Sequence, residues 1–356
     1  LADSLYIKNI NISNILRNDS LHLNVKLSDK TATNQLDLNA LVEFNAETFA
    51  SLSVLPSDVV INRDTWKIQE KVKIKFDKGK TIIENFALLR DNQLLTINGI
   101  ISANPTDELL IGFNKFNLTT FNPLTQALGI NLRGELNGNA KVSAIGKTPK
   151  IEAEIKVDSL KYNNIALGDL QLSAELDNST KLINVQMDIT NQGQKTLNID
   201  GTYNADQNNL DMNVSMKNNE IIIFQPLLKK LVSNLNGKVS ADLKVTGPLI
   251  NPRINGNLTM VNAGMTVNYL KTPYRITDDV TVENSIIKLD NVILKDINNN
   301  EAIANGTVNM GNPRNPIIHV TLVANNFMAL NTTAKDNPLY YGTAYGTGVF
   351  AFNGPT

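Results

Sequence analysis

The chain has 356 residues, with 33 lysines and arginines against 34 aspartates and glutamates, two histidines, one tryptophan and no cysteine. That balance excludes an electrostatic case for nucleic-acid binding, which needs a basic surplus on one face, and it leaves thiolate chemistry and a cysteine-type zinc site without ligands. A hydrophobic fraction of 42% can bury a core, an aromatic fraction of 6% makes that core mostly aliphatic, and no apolar run reaches the roughly 18–20 residues of a membrane-spanning helix.

The opening Leu1-Ala-Asp-Ser-Leu-Tyr reads as mid-chain strand sequence, not as a signal peptide. The end, Phe352-Asn-Gly-Pro-Thr356, stops as abruptly, so the expectation is a piece of a longer protein. Between them, apolar and polar residues alternate almost everywhere, which is the signature of strands with one apolar face. Leu21, Leu23, Val25 and Leu27 form the first clear series, followed by Val72, Ile74 and Phe76. Ile151, Ile155 and Val157 come next, then Leu170 and Leu172, then Ile183, Val185, Met187 and Ile189. Later series are Leu210, Met212 and Val214; Val239, Leu243 and Val245; Ile254 and Leu258; and Ile318, Val320 and Leu322. All are expected to line one apolar face. The runs are separated by Asn98-Gly99, Asn163-Asn164, 206–209 and 298–300, rich in residues that tolerate left-handed backbone and make tight turns. Antiparallel hairpins follow, about 30–35 strands at roughly ten residues each with its turn.

Helical pattern is confined to 121–130 and 224–232. Phe121, Leu124 and Leu128 share one side of the first helix; Phe224, Leu227 and Leu231 share one side of the second. Each helix has proline near its first turn, where a missing N–H is harmless. These side chains are expected to plug or gate the sheet.

The two helices belong to a repeat. Pro226 lies 103 positions after Pro123, and the same offset relates Leu132 to Leu235, Gly134 to Gly237, Lys141-Val142 to Lys244-Val245 and Ile151 to Ile254. Phe327 and Leu330 continue it from Phe224 and Leu227. The expected divisions are therefore 1–120, 121–223, 224–326 and a truncated 327–356. No Pro/Gly/Ser linker separates the copies, which argues against beads of β-sandwich.

A one-sided sheet of this length needs a cover that two short helices cannot supply. The fold class expected is all-β: an elongated, continuous sheet curled into a groove built from repeats of about a hundred residues. An aliphatic trough suits acyl chains, whose exposure to water costs about 0.8 kcal/mol per CH₂, or roughly 12 kcal/mol for sixteen carbons.

A family resemblance appears in the last third. Leu235-Asn-Gly237 through Gly247-Pro248 and Pro252-Arg-Ile254-Asn-Gly256 resembles the recurring L-x-G, G and x-P-x-I-x-G pattern of the TamB family, in the AsmA-like superfamily. Asn326-Phe-Met-Ala-Leu-Asn, followed by Leu339-Tyr-Tyr-Gly-Thr-Ala-Tyr-Gly-Thr-Gly348, is similar to the approach to the C-terminal domain in Bacteroidota-type members. Val59-Val-Ile-Asn and Trp66-Lys-Ile68 fit the N-terminal side of that region. The resemblance implies a periplasmic protein bridging the inner and outer membranes of a Gram-negative envelope. It implies an N-terminal inner-membrane anchor missing from this chain, and an Omp85-family outer-membrane barrel partner, TamA or a relative. It also implies carriage of phospholipid or, in an older view, help in outer-membrane protein assembly. It brings no catalytic residue and no cofactor, so the chain is expected not to be an enzyme.

Other motifs yield turns or strands. Gly79-Lys80-Thr81 resembles the end of a P-loop, but the required earlier glycine is Ile74. Asp296-Ile-Asn298-Asn-Asn300 begins like a calcium loop, but its sixth residue is Glu301 and its twelfth Thr307. Gly342-Thr-Ala-Tyr-Gly-Thr-Gly348 is followed by strand-like Val349-Phe-Ala-Phe352, without the helix a nucleotide loop needs. His22 and His319 occupy polar positions and should face water. Asp278-Asp279 shows no acid/base pairing, and Trp66 is expected as a groove or rim aromatic.

Overall fold

The computed structural model describes residues 7–18, 20–44, 50–125, 129–312, 315–336, 338–339 and 341–355. Among them are 23 β-strands and only single-turn helices, so the protein is all-β. The strands are fewer than expected because several are long, up to 16 residues in Val232–Gly247 and Ile317–Thr332. Two compact units divide the chain. The first holds Leu1–Gln192 with Asn204–Asp206, and the second holds Gly193–Tyr203 and Gln207–Thr356.

The first unit contains β1 (Ile7–Arg17), β2 (Ser20–Asp29), β3 (Gln35–Glu43), β4 (Ala50–Val54), β5 (Ser57–Ile61), β6 (Asp64–Ile68), β7 (Val72–Asp77), β8 (Lys80–Arg90) and β9 (Gln93–Ile101). It continues with β10 (Glu108–Asn117), β11 (Leu132–Ser143), β12 (Lys150–Tyr162), β13 (Ile165–Leu176) and β14 (Ile183–Asn191). It is an antiparallel meander in which each strand pairs with its sequence neighbour. The one complication is local. β3 pairs with both β4 and β5, and β8 with both β7 and β6, so β4–β5 and β6–β7 are two bent strands, the first broken at Pro56. Proline removes a ladder donor and suits such a break, or the end of a strand as at Pro273 and Pro355.

The second unit contains all but the last residue of β15 (Gln194–Asn204). After it come β16 (Asn209–Glu220), β17 (Val232–Gly247), β18 (Arg253–Val267), β19 (Thr272–Glu283), β20 (Ile286–Lys295), β21 (Glu301–Asn309), β22 (Ile317–Thr332) and β23 (Gly342–Pro355). From β16 to β23 the pairing again follows sequence order.

Turn chemistry explains the short connections. Asn62-Arg63, Asn163-Asn164 and Asn284-Ser285 each carry positive φ at both residues. That is the primed turn whose twist matches the strands it joins. Positive φ also occurs inside strands, at Lys115, Ser159, Asn218, Asn262, Asn291 and Asn326, each at a register shift or next to one. These are bulges, which bend a strand and raise its twist. Asn85 in β8 and Asn234 in β17 are positive-φ bulges of the same kind.

Candidate functional site

Period two places alternate side chains on opposite faces, and the register shows which faces coincide. In the first unit Leu21, Leu23, Val25 and Leu27 stand opposite Val42, Ala40, Leu38 and Leu36. From Leu21 an apolar line crosses Val42, Leu52, Ile74, Ile83, Gly99, Leu109 and Val142 to Ile151, each residue directly opposite the next. Val72 joins through Val54, and Phe76 stands two residues from Ile74 on the same strand face. A second line runs Leu95, Phe113, Gly138, Ile155, Leu172, Met187. A third runs Phe116, Leu136, Val157, Leu170, Ile189. Val185 stands opposite Ala174, and Ile183 opposite Leu176.

The second unit has the same construction. Val214, Leu243, Gly256, Val282, Ile287, Val308 and Ile318 form one line from β16 to β22. Met212, Val245 and Ile254 lie beside it, as do Met216, Ala241, Leu258 and Val280. Leu210 stands opposite Gly247, Val239 opposite Met260, Val320 opposite Gly306 and Leu322 opposite Ala304.

The lining is not uniformly accessible. Ile151 (46%) and Phe76 (41%) are exposed, Leu172 and Val185 are half-buried, and Val72, Val157, Ile183 and Val239 are buried. In the second unit the face converges on a packed cluster that includes Ile276, Val292, Leu294, Ala304 and Leu322.

The opposite face is mostly polar and laced across strands, although in the second unit it also carries an exposed apolar row, Ile293, Ile303, Val323 and Val349. Lys75 meets Glu84 at 2.8 Å, and Lys26 meets Asp37 at 2.9 Å. Lys141 lies between Glu152 at 3.0 Å and Glu108 at 3.3 Å, and these partners, Glu152 first, hold its ammonium above the ordinary lysine range. His22 and His319 are exposed on that face, His319 with Nδ1 3.1 Å from Asn353 Oδ1.

Two groups of aromatics bridge strands that are not paired to each other. Trp66 on β6 is fully buried, its ring 5.2 Å from that of Phe116 on β10, which also meets Phe113 at 5.6 Å and Phe121 at 5.2 Å. Trp66 is thus part of the packed interior, not a rim aromatic. In the second unit Tyr274 on β19 stacks on Phe327 of β22 at 4.8 Å. The Tyr274 hydroxyl donates to the Met328 carbonyl at 2.8 Å, and burial pushes that hydroxyl above its ordinary pKa.

Both helical segments begin earlier than expected, and the second is shorter. A 3-10 turn, Leu118–Phe121, leads into α1 (Asn122–Thr125), and Ile221–Phe224 leads into α2 (Gln225–Leu228). All four boundaries keep the 103-residue offset. So does the clamp behind them: Leu132 N donates to Asn122 Oδ1 at 2.8 Å, and Leu235 N to Gln225 Oε1 at 3.2 Å. Phe121 rests on Phe116, Leu124 is 57% exposed, and Phe224 and Leu231 are half-buried. Leu128 lies outside the described residues, as does the side chain of Leu227. Phe327 and Leu330, at the same offset again, lie in β22 and form no helix.

The rejected motifs are turns and strand. Gly79 occupies the β7–β8 turn, and 342–348 opens β23. The buried Asp296 carboxylate accepts N–H bonds from Asn298 (2.8 Å), Asn300 (2.9 Å) and Met328 (3.0 Å), so its oxygens serve the backbone. Among the described residues no three histidines or carboxylates are grouped to hold a metal, and no helix is long and apolar enough to cross a membrane.

Sequence reasoning missed the bulges and the aromatic bridges. An asparagine interrupting an alternating run was the available signal for the bulges.

The construction defines a class: antiparallel β-meanders whose function-bearing surface is one apolar face. The family model for the TamB N-terminal domain matches residues 12–260, and the chain belongs to the TamB family. Membership makes it an envelope-associated protein with a role in outer-membrane assembly and lipid transport, acting with outer-membrane components. No solved structure matches the chain.

Proposed function

We propose that the chain carries phospholipid between the inner and outer membranes, its acyl chains sliding on the apolar face and its headgroups in water, without enzymatic chemistry. One observation supports this reading: apolar side chains stand directly opposite one another from β2 to β12 and again from β16 to β22. Such a lining offers dispersion contact at every step and no fixed polar group to hold a lipid in one place. The periplasm is the compartment where such carriage is needed, and an Omp85-family barrel of TamA type is the proposed acceptor. An inner-membrane anchor on the longer protein is the proposed donor side.

The packed cluster of the second unit favours a second reading, an assembly scaffold whose apolar face only holds the fold. Val185→Glu separates the two, because Val185 is half-buried on the apolar face. A carrier keeps its circular dichroism and loses co-purifying phospholipid and vesicle-to-vesicle transfer by about tenfold or more, since a carboxylate in an acyl path is strongly penalised. A scaffold yields no phospholipid in detergent-free lipid mass spectrometry, with or without the substitution.

A further inference from the structure

The contact between β19 and β22 is unlike the rest of the second unit. β19 pairs with β18 and β20, and β22 with β21 and β23, so no ladder joins them. They meet through the Tyr274–Phe327 ring stack and the Tyr274 hydroxyl on the Met328 carbonyl. One backbone bond, Asn331 N to Leu270 O at 2.9 Å, completes the bridge at the end of the strands. All three side chains, Tyr274, Phe327 and Met328, are buried, and both rings belong to the packed cluster of the second unit.

The bridge sits at a bend. Asn326, immediately before Phe327, is left-handed at φ 49°, and its N–H is taken by Thr347 Oγ1 at 2.9 Å. The first unit builds its own bridge in the same way. Left-handed Lys115 (φ 48°) has its N–H on Asn137 Oδ1 at 2.7 Å, and the next residue is Phe116, stacked on Trp66. β16 repeats the bulge at Asn218, capped by Ser240 Oγ at 3.0 Å, but the residue that follows is Asn219 and no aromatic bridge forms. The bulge is thus common to the fold, while the aromatic after it is placed selectively.

We propose that the Tyr274–Phe327 bridge is a gate across the apolar face of the second unit, closed in this structure and opened by an acyl chain. This rests on the carrier reading above. Opening breaks the hydroxyl bond, the ring contact, the backbone bond and a longer bond from Asn331 Nδ2 to the Lys271 carbonyl at 3.4 Å, and leaves every β-ladder intact. The bulge at Asn326 supplies the flexible point, because its backbone is already out of ladder register. An acyl chain entering between the rings replaces apolar contact with apolar contact, so the open state is favoured only when lipid is present.

The absence of native cysteine makes a direct test available. Tyr274→Cys and Phe327→Cys are combined in the full chain and bridged with a short bis-methanethiosulfonate, which forms a reducible disulfide to each cysteine with loss of methanesulfinate. Transfer of a fluorescent phospholipid between phosphatidylglycerol vesicles is then followed. Bridging is expected to slow transfer by about tenfold or more, with full recovery on reduction. Bridged and unbridged protein transferring at equal rates overturns the gate. Should the cysteine pair fail to fold, Tyr274→Phe decides: loss of the hydroxyl bond is expected to speed transfer by about threefold to tenfold, and an unchanged or slower rate overturns the proposal. Unaltered protein that moves and binds no lipid removes the carrier reading, and the gate falls with it. Lipid carried equally well through a bridged protein removes the gate alone.

Discussion

Asp177 shows how a single side chain fixes a hairpin end here. Its carboxylate accepts from Ser179 Oγ at 2.6 Å, Ser179 N at 2.8 Å and Thr180 Oγ1 at 2.9 Å. These bonds, the Ser179 hydroxyl first, draw its pKa from 3.8 down to about 2. Asp336 is lowered in the same way by Thr333, and Asp107 by Lys80 and then Ser102. A carboxylate with a depressed folded pKa stabilises the native state above its unfolded pKa and loses that contribution as pH falls through the folded value. Thermal stability should therefore decline as pH drops from about 4 to 2. Asp177→Asn should lower the melting temperature at pH 7 and flatten that acid decline, as measured by calorimetry across the pH series. The pattern was readable as a turn, because Asp-x-Ser-Thr offers local acceptors and donors. The burial of Trp66 was not readable, because it depends on Phe116 arriving from a strand fifty residues later.

At the scale of the element, close strand approach is set by glycine as much as by apolar alternation. A Cβ on Gly138, whose φ is 135°, would fall 2.0 Å from the Glu154 carbonyl oxygen of the neighbouring strand. Gly79, in the β7–β8 turn at φ 84°, has nothing within 4 Å. Gly138→Ala should therefore destabilise the first unit by about 2–4 kcal/mol, and Gly79→Ala by only about 1 kcal/mol, the cost of left-handed backbone alone. The single tryptophan, buried in that unit, makes its fluorescence in a denaturant titration the natural readout. The helix clamp is a second test. Asn122→Ala leaves Leu132 N–H without its acceptor and should cost about 1–2 kcal/mol by the same readout. Alternation was enough to find most strands and the face they share. The second helix is shorter than its spacing predicts, since Phe224, Leu227 and Leu231 at helical spacing fit a single turn followed by a bend of the chain as well as two full turns. At the same offset Phe327 lies in a continuing strand, whereas Phe121 and Phe224 end 3-10 turns.

For the molecule as a whole, stability should differ from strand to strand with the burial of each strand's side chains. β1 carries Ile12 and Leu16 exposed, while Val292 and Ala304 in the second unit have no exposed surface. Amide exchange, read by mass spectrometry, should be fastest in β1 and slowest in β20–β22, and a reversal would contradict the packing described above. The register also carries a consequence for synthesis. Because pairing runs through the next strand along the chain, each closure spans only a short loop, and the entropy of joining distant segments is avoided. Each meander can zip from its N-terminal end as it emerges, hairpin by hairpin, without waiting for the C-terminus. It can also gain or lose two strands while all earlier partners stay in place. The width of a single meander is therefore adjustable in steps of about 9.6 Å, two strand spacings at a time.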